Sequence, residues 1–330
     1  PISLLKFPGL TLIEKLRTGM VLALLKAWPK GENLEKYTAQ EVLQKTMGRQ
    51  SWERLWRSLF VGKFGQDLAQ EINLAWFWAR VYTRSKKLGY FQGGFQGLAD
   101  QVAAKITQRG VKIYYQTRVS QLKQTSSGWQ VEVEGDSSKK SYDRVLFTGN
   151  SQQLLALAGK QLPSNYQKQL NQLESLAAMT LVLVFDKPFF AKPIYWLNIN
   201  QPNWPFLAVV EHTNYISSGK YNGKHLVYVG KYLDANDDFF AANKEQVLAK
   251  YDLHLKKLSP KYQDNLQSTY LFKGRYAQPV VRTNHSRLLP ETSTPLEGLF
   301  FAGMEHVYPF DRGINYAIKL GYEISLQILA

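Results

Sequence analysis

The residues best arranged for chemistry stand in Leu299–Ala330, LFFAGMEHVYPFDRGINYAIKLGYEISLQILA. Leu299, Phe300 and Phe301 form a continuous apolar run, as expected of a strand covered on both faces. Gly303 lets the chain turn after it without a Cβ penalty. Asp311 is a candidate N-cap for the helix that follows. That helix carries Gly313, Ala317, Gly321 and Ser325 at intervals of four, a smooth stripe that another backbone could approach closely. Ile314, Ile318, Ile324 and Ile328 supply its apolar face. A helix N-terminus gathers unpaired amides and the positive end of the peptide dipoles, so this unit suits an anionic or electron-rich ligand. Gly313 would let a flat ligand lie against that end. A plain βα unit that only packs the fold is the competing reading. A carboxylate at Asp311 would also compete with an anionic ligand for the same amides.

Other chemistries find little support. There is no cysteine, which removes disulfides, thiolate metal sites and cysteine nucleophiles, and fits a reducing, cytoplasmic setting. His212, His225, His254, His285 and His306 are scattered, without metal-ligand spacing. No G-x-S-x-G elbow occurs. Gly93-Gly94-Phe95-Gln96-Gly97 is not a G-x-G-x-x-G, because Gln92 stands where a glycine would be needed and no apolar strand precedes it. It reads as a glycine-rich turn into a helix.

The elements that must position the terminal unit follow from periodicity. Residues 1–90 read as helical and rich in Trp, with Trp52, Leu55, Trp56, Leu59 and Phe60 at helical spacing, a stripe expected in a core. A helix is expected over 98–108, closed by Gly110. Short strands are expected at 111–115, 119–122 and 129–134, and another in Tyr142–Gly149. Residues 152–178 read as helical. Strands follow at 181–185, 194–199, 206–211 and 226–232, then a helix over 243–257 and a strand near Tyr270.

The net charge of +15 points to an anionic partner, but the basic residues are scattered and no nucleic-acid motif accompanies them. No segment is long enough to span a bilayer. Met20–Leu25 is apolar and flanked by Lys15, Arg17 and Lys26, as in a helix lying on a membrane surface. Its length favours a buried helix, with peripheral membrane contact as the alternative.

Three blocks together resemble the flavin-dependent amine oxidase superfamily, in the branch with protoporphyrinogen oxidase and phytoene desaturase. They are Gly93–Leu98 with the elements to Val119, then Tyr142–Gly149, then Leu299–Gly303 with Gly313–Ala317 and its helix. The resemblance implies an α/β fold with α+β character. An interrupted, doubly wound FAD domain would be joined to a mixed sheet-plus-helix substrate domain. The expected segments are 1–90 (helical, substrate side), 91–155 (FAD domain, middle), 156–294 (substrate domain) and 295–330 (FAD domain, end). It also implies an N-terminal G-x-G-x-x-G unit for the FAD pyrophosphate. No such motif stands in this sequence, so the chain is expected to enter the family pattern part-way, to bind FAD poorly and to be inactive alone.

By the same resemblance, Val119 would meet the adenine edge, and Thr148 and Gly149 would flank the adenosine part. Gly303, Met304 and Glu305 would approach the ribityl chain and pyrophosphate. Gly313, Ile314 and Asn315 would face the pyrimidine edge of the ring, with Arg312 adding positive field. Many relatives have an acidic residue where this chain has Met304, and Glu305 follows one place later. Tyr276 and Gln278, on the strand expected to line the flavin face, are candidates for the substrate cavity. The implied activity is hydride transfer from a C–N or C–C bond of a small molecule to flavin N5. The alternatives are a flavin-dependent mutase or isomerase of the same fold, and a non-catalytic basic binding protein.

Overall fold

A computed structural model describes residues 2–330 apart from Lys86, Pro202 and Asp311, and without the side chains of Ile2, Ser3, Ser137 and Ser138. The expected cap at Asp311 therefore lies outside the described residues. The chain divides into two units, residues 1–79 with 173–288 and residues 80–172 with 289–330.

In the first unit the aromatic stripe is core, as its spacing suggests. Trp52, Phe60, Trp76 and Trp78 are all buried, and Trp52 and Trp76 each meet Phe60 within about 5 Å. A five-stranded antiparallel sheet carries the rest. Its strands are β5 (Ser175–Phe185), β6 (Trp196–Asn198), β7 (Ala208–Glu211), β8 (His225–Leu233) and β9 (Leu266–Pro279), in the order β6-β7-β8-β5-β9. On β5 the alternate residues Ala177, Met179, Leu181, Leu183 and Phe185 are buried, the period of a pleated strand. They share a core with Val247, Tyr251 and Leu255 of the helix Lys244–Leu258. Each large side chain buried there contributes about 1.5–3 kcal/mol. The helical reading of 152–178 gives way at Pro163, and the chain is already extended from Ser175.

The helix Leu12–Ala27 overturns the expectation of burial. Its start is sound: Thr11 and Glu14 form a reciprocal capping box. Yet only Thr18 and Leu25 are buried, while Leu12, Ile13, Leu16, Met20 and Leu24 are all more than half exposed.

The second unit is built on two small sheets. β1 (Val119–Thr125), β2 (Gly128–Val133) and β3 (Asp136–Tyr142) run antiparallel. Gly128, at φ +126°, makes the first turn, where a Cβ would meet the Tyr142 carbonyl at 2.5 Å. β4 (Val145–Phe147) pairs in parallel with β10 (Leu299–Phe301), Phe147 opposite Phe301. Leu299 and Phe301 share a core with Leu122, Trp129, Leu154, Tyr166 and Leu170. That core holds the helices Ser151–Ala158 and Ser164–Asn171 in this unit, although the sequence suggested a boundary at 155/156. Phe300 stays half-buried, so β10 is not covered on both faces.

The expected strand at 111–115 does not form: Val111, Ile113, Tyr114 and Tyr115 are exposed coil. A strand needs a neighbour for its backbone groups, and among the described residues none pairs with this run. The helix here begins at Gly94, ahead of the expected 98, with Gly93 and Gly94 both at positive φ.

Candidate functional site

The parallel pair sends both chains out at the same end, the place where open α/β sheets bind ligands. β4 leads into Thr148-Gly149-Asn150, and β10 into Ala302-Gly303-Met304. Ala302 N–H donates to the Phe147 carbonyl at 3.0 Å, which ties the two exits together.

Each exit is held by local chemistry. Asn150 caps the helix Ser151–Ala158: its Oδ1 accepts from Gln152 N–H, and Gln153 Oε1 accepts from Asn150 N–H. Its Nδ2 donates to Glu305 Oε1 at 2.8 Å, and Ser151 N–H donates to the same oxygen at 3.0 Å. Glu305 is thus buried at a helix N-terminus, where amides and dipole favour a carboxylate. Its Oε2 is buried without a hydrogen-bond partner among the described residues. His306 accepts from Gly303 N–H at Nδ1 (3.2 Å) and donates from Nε2 to the Pro290 carbonyl (3.1 Å). One acceptor and one donor nitrogen define a neutral imidazole. Burial, the leading cause, pushes its pKa below the ordinary histidine value in the same sense.

The loop at Gly303 admits no side chain. A Cβ there would sit 2.3 Å from the Gly149 carbonyl and 2.6 Å from Glu305 Oε2. Gly149 and Gly303 therefore cross backbone to backbone. Beside them opens a cleft of about 500 Å³, lined among others by Thr148, Gly303, Met304, Arg312, Gly313 and Ile314. Its wall is largely apolar. Gly313 is the N-cap of the helix Ile314–Leu329, and no described side chain caps that terminus. The first amides of the helix are thus presented at the cleft.

Another cavity, of about 540 Å³, lies at the opposite end of the strand pair, lined by Asp143, Arg144, Glu297 and Gly298 with Gln327 and Ala330. It faces the C-terminal end of the same helix, whose dipole repels anions, so the first cleft is the candidate site.

The cleft gathers Thr148, Gly303, Met304, Arg312, Gly313 and Ile314 from the residues singled out in sequence. Gly149 sits behind Gly303 as its backbone neighbour, and Glu305 sits behind the loop as the clasp between the two exits. Asn315 is exposed in the first turn of the helix, its Oδ1 near Gly313. Val119 does not line the cleft; it opens β1, paired with Val133. Tyr276 and Gln278 belong to β9 of the first unit, Tyr276 half-buried and Gln278 buried, with Gln278 Nε2 donating to the Pro279 carbonyl. The lining residues not foreseen are Leu146, Ala302, Val307 and Leu320. Leu320 lies one turn beyond Ala317 and next to Gly321, so the small-residue stripe was the signal that could have found it.

A family model, flavin containing amine oxidoreductase, matches residues 1–328. Among curated proteins none matches by sequence. Similar solved structures include an oxidoreductase from Methanosarcina mazei, 17% identical with TM-score 0.67, over 89% of this chain and 68% of that one. A candidate protoporphyrinogen oxidase from Exiguobacterium sp. 255-15 is 16% identical with TM-score 0.68, over 97% of this chain and 73% of that one. Putrescine oxidase bound to putrescine is 14% identical with TM-score 0.69, over 98% of this chain and 77% of that one. At such identities the structures establish likeness of fold.

Proposed function

Since the chain belongs to the flavin-containing amine oxidoreductase family and is an FAD-dependent oxidoreductase, we propose that it takes a hydride from a C–N or C–C bond of a small molecule, with FAD seated at the cleft of the second unit. The observation that carries this reading is the N-terminus of Ile314–Leu329, which no described side chain caps, opening at Gly313 onto a largely apolar cleft.

The residues present fit a flavin. Gly303 and Gly313 leave backbone on the floor where a ring or a polyol must come close. Glu305, behind the loop, fixes the Gly303 turn through Asn150 and the Ser151 amide, so the backbone at the cleft is held in place. The cofactor supplies the acceptor for the hydride. The chain's own part is orientation and electrostatics. The amides of Ile314 and Asn315 and the helix dipole stabilise negative charge at the pyrimidine edge, and Arg312 adds a cation at the same end. Met304, Val307 and Leu320 exclude water from the apolar wall. In this reading Tyr276 and Gln278 are the substrate-side candidates, and Val119 meets the adenine edge through its backbone.

The test is a titration of the 330-residue chain with FAD, FMN and riboflavin, followed by flavin fluorescence. The sequence has no G-x-G-x-x-G, so the three ligands should bind weakly and about equally, through the ring and ribityl chain they share. Gly313→Leu, which adds bulk at the helix N-terminus bordering the cleft, should weaken all three. Stoichiometric FAD on the purified chain would refute the expectation of weak binding, and binding unchanged by Gly313→Leu would refute the proposal. Turnover without net electron consumption would assign the site to a mutase or isomerase instead.

A further inference from the structure

The helix Leu12–Ala27 turns an apolar face to solvent. At 100° per residue, Leu12, Leu16, Met20, Ile13 and Leu24 fall on one continuous arc of about 120°. Each of the five is between 57% and 70% exposed. The helix's own buried residues, Thr18 and Leu25, lie on the opposite side.

Basic residues border that arc. Arg17 follows Leu24 on one edge, and Lys15 and Lys26 lie beyond Leu12 on the other. Arg17 is held with its guanidinium on the Lys45 and Thr46 carbonyls, and Lys15 on the Leu5 carbonyl, so both cations are fixed beside the stripe. Trp28 ends the helix, half-exposed, with its indole N–H on the Lys30 carbonyl. An aromatic ring with one polar edge suits the level of lipid headgroups.

Exposed apolar residues also occur on Gly94–Gln108 and Ile314–Leu329 of the second unit. On Gly94–Gln108 the helix's cation is Lys105 in the last turn, and on Ile314–Leu329 Lys319 is paired with Glu323. Leu12–Ala27 combines the apolar arc with cations on both edges and a terminal Trp, within a chain of net charge +15. No described helix is long and apolar enough to cross a membrane, so membrane contact through this face would be interfacial.

We propose that Leu12–Ala27 is an interfacial anchor, lying flat in the headgroup region of an anionic bilayer, with Leu16 and Met20 at its deepest point and the basic borders among the lipid phosphates. The reading is independent of the flavin site, since every residue in it belongs to the first unit.

The test is flotation of the 330-residue chain with vesicles of phosphatidylcholine, with and without phosphatidylglycerol, at low and high salt. The chain should float with the anionic vesicles, less so as salt rises. The double variant Leu16→Glu, Met20→Glu, exposed enough to fold normally by circular dichroism, should lose binding by about tenfold or more. Brominated lipids should quench Trp emission in the wild type, and Trp28→Phe should remove that quenching while still floating. No flotation with anionic vesicles, equal flotation of the double variant, or quenching unchanged in Trp28→Phe would overturn the proposal. So would a wild-type dimer that the double variant converts to monomer without any vesicle binding, because the face would then be covered by a second copy.

Discussion

Two glycines of the site should respond to substitution in opposite ways. In Gly303→Ala the new Cβ meets the Gly149 carbonyl at 2.3 Å, roughly 1 Å inside van der Waals contact. The obstacle is backbone, and it is tethered: Ala302 N–H is bonded to the Phe147 carbonyl, and Asn150 is locked by its capping box. Neither loop can yield without breaking one of these, so the cost should sit high in the overpacking range, about 2–3 kcal/mol. A fall of roughly 5 °C in Tm is expected. At Gly313 the nearest atom to a new Cβ is Asn315 Oδ1 at 2.8 Å, the end of an exposed side chain that can rotate away. Its φ of −165° is ordinary extended backbone. Gly313→Ser adds a preferred N-cap, whose hydroxyl can accept from the Asn315 amide, a gain of a few tenths, about 0.3 kcal/mol. The same hydroxyl would compete for the amides offered to the flavin, so Gly313→Ser should melt no lower than wild type yet bind flavin less well. Thermal melts and flavin titrations on the two variants decide the matter. If Gly303→Ala melts with the wild type, or Gly313→Ser is destabilised as much as Gly303→Ala, the account of the two loops is mistaken.

Glu305→Ala should cost about 2–3 kcal/mol in urea denaturation, because it orphans the Ser151 amide and Asn150 Nδ2 in a buried setting. Glu305→Gln, which keeps an acceptor for both donors, should cost clearly less; equal losses would mean that the clasp is not what Glu305 provides. Stability should also fall in mild acid. Burial, the main cause, lowers the pKa of His285 from 6.5 to about 4, so between those values the unfolded chain binds a proton that the folded chain refuses. The stability this withholds, about 3 kcal/mol at most, is fully present above pH 6.5 and is lost as pH falls toward 4. His306 and His212, also lowered by burial, act in the same direction. His285→Gln should flatten the dependence of Tm on pH between 7 and 4, and an unchanged slope would discount His285 as its source.

The sequence disclosed most where local chemistry sufficed. The aromatic stripe of 52–60 was readable as core from helical spacing, and the second half of β5 as a strand at 181–185, although its start at Ser175 falls in a stretch that reads as helical. The terminal strand–loop–helix was readable because glycines and an apolar run are local signals. What escaped depended on partners far away in the chain. Residues 111–115 have strand composition, but a strand exists only with a neighbour, and no described strand pairs with them. The helix Leu12–Ala27 has the apolar content of a buried element, and content does not say which face meets a core. Glu305 looked like a displaced ligand for a ribityl chain. Its Oε1 turned out to serve the N-terminus of Ser151–Ala158, a contact spanning more than 150 residues that no spacing rule could announce.

The cleft explains orientation better than affinity. A helix terminus offers typically 0.3–1 kcal/mol to a nearby anion, up to ~2 in partly buried geometry. Micromolar binding needs about 8 kcal/mol. The rest must come from apolar contact along Met304, Val307, Leu320 and Ile324, and from whatever grips the phosphates. Within this sequence nothing of the G-x-G-x-x-G kind is offered for the phosphates. In the proposed reading, the positive end of Ile314–Leu329 serves the charge that develops when the ring is reduced. On that argument the site should discriminate between oxidation states more strongly than between FAD and riboflavin. A reduced flavin held no more tightly than an oxidised one would show that the helix end is not aimed at the ring.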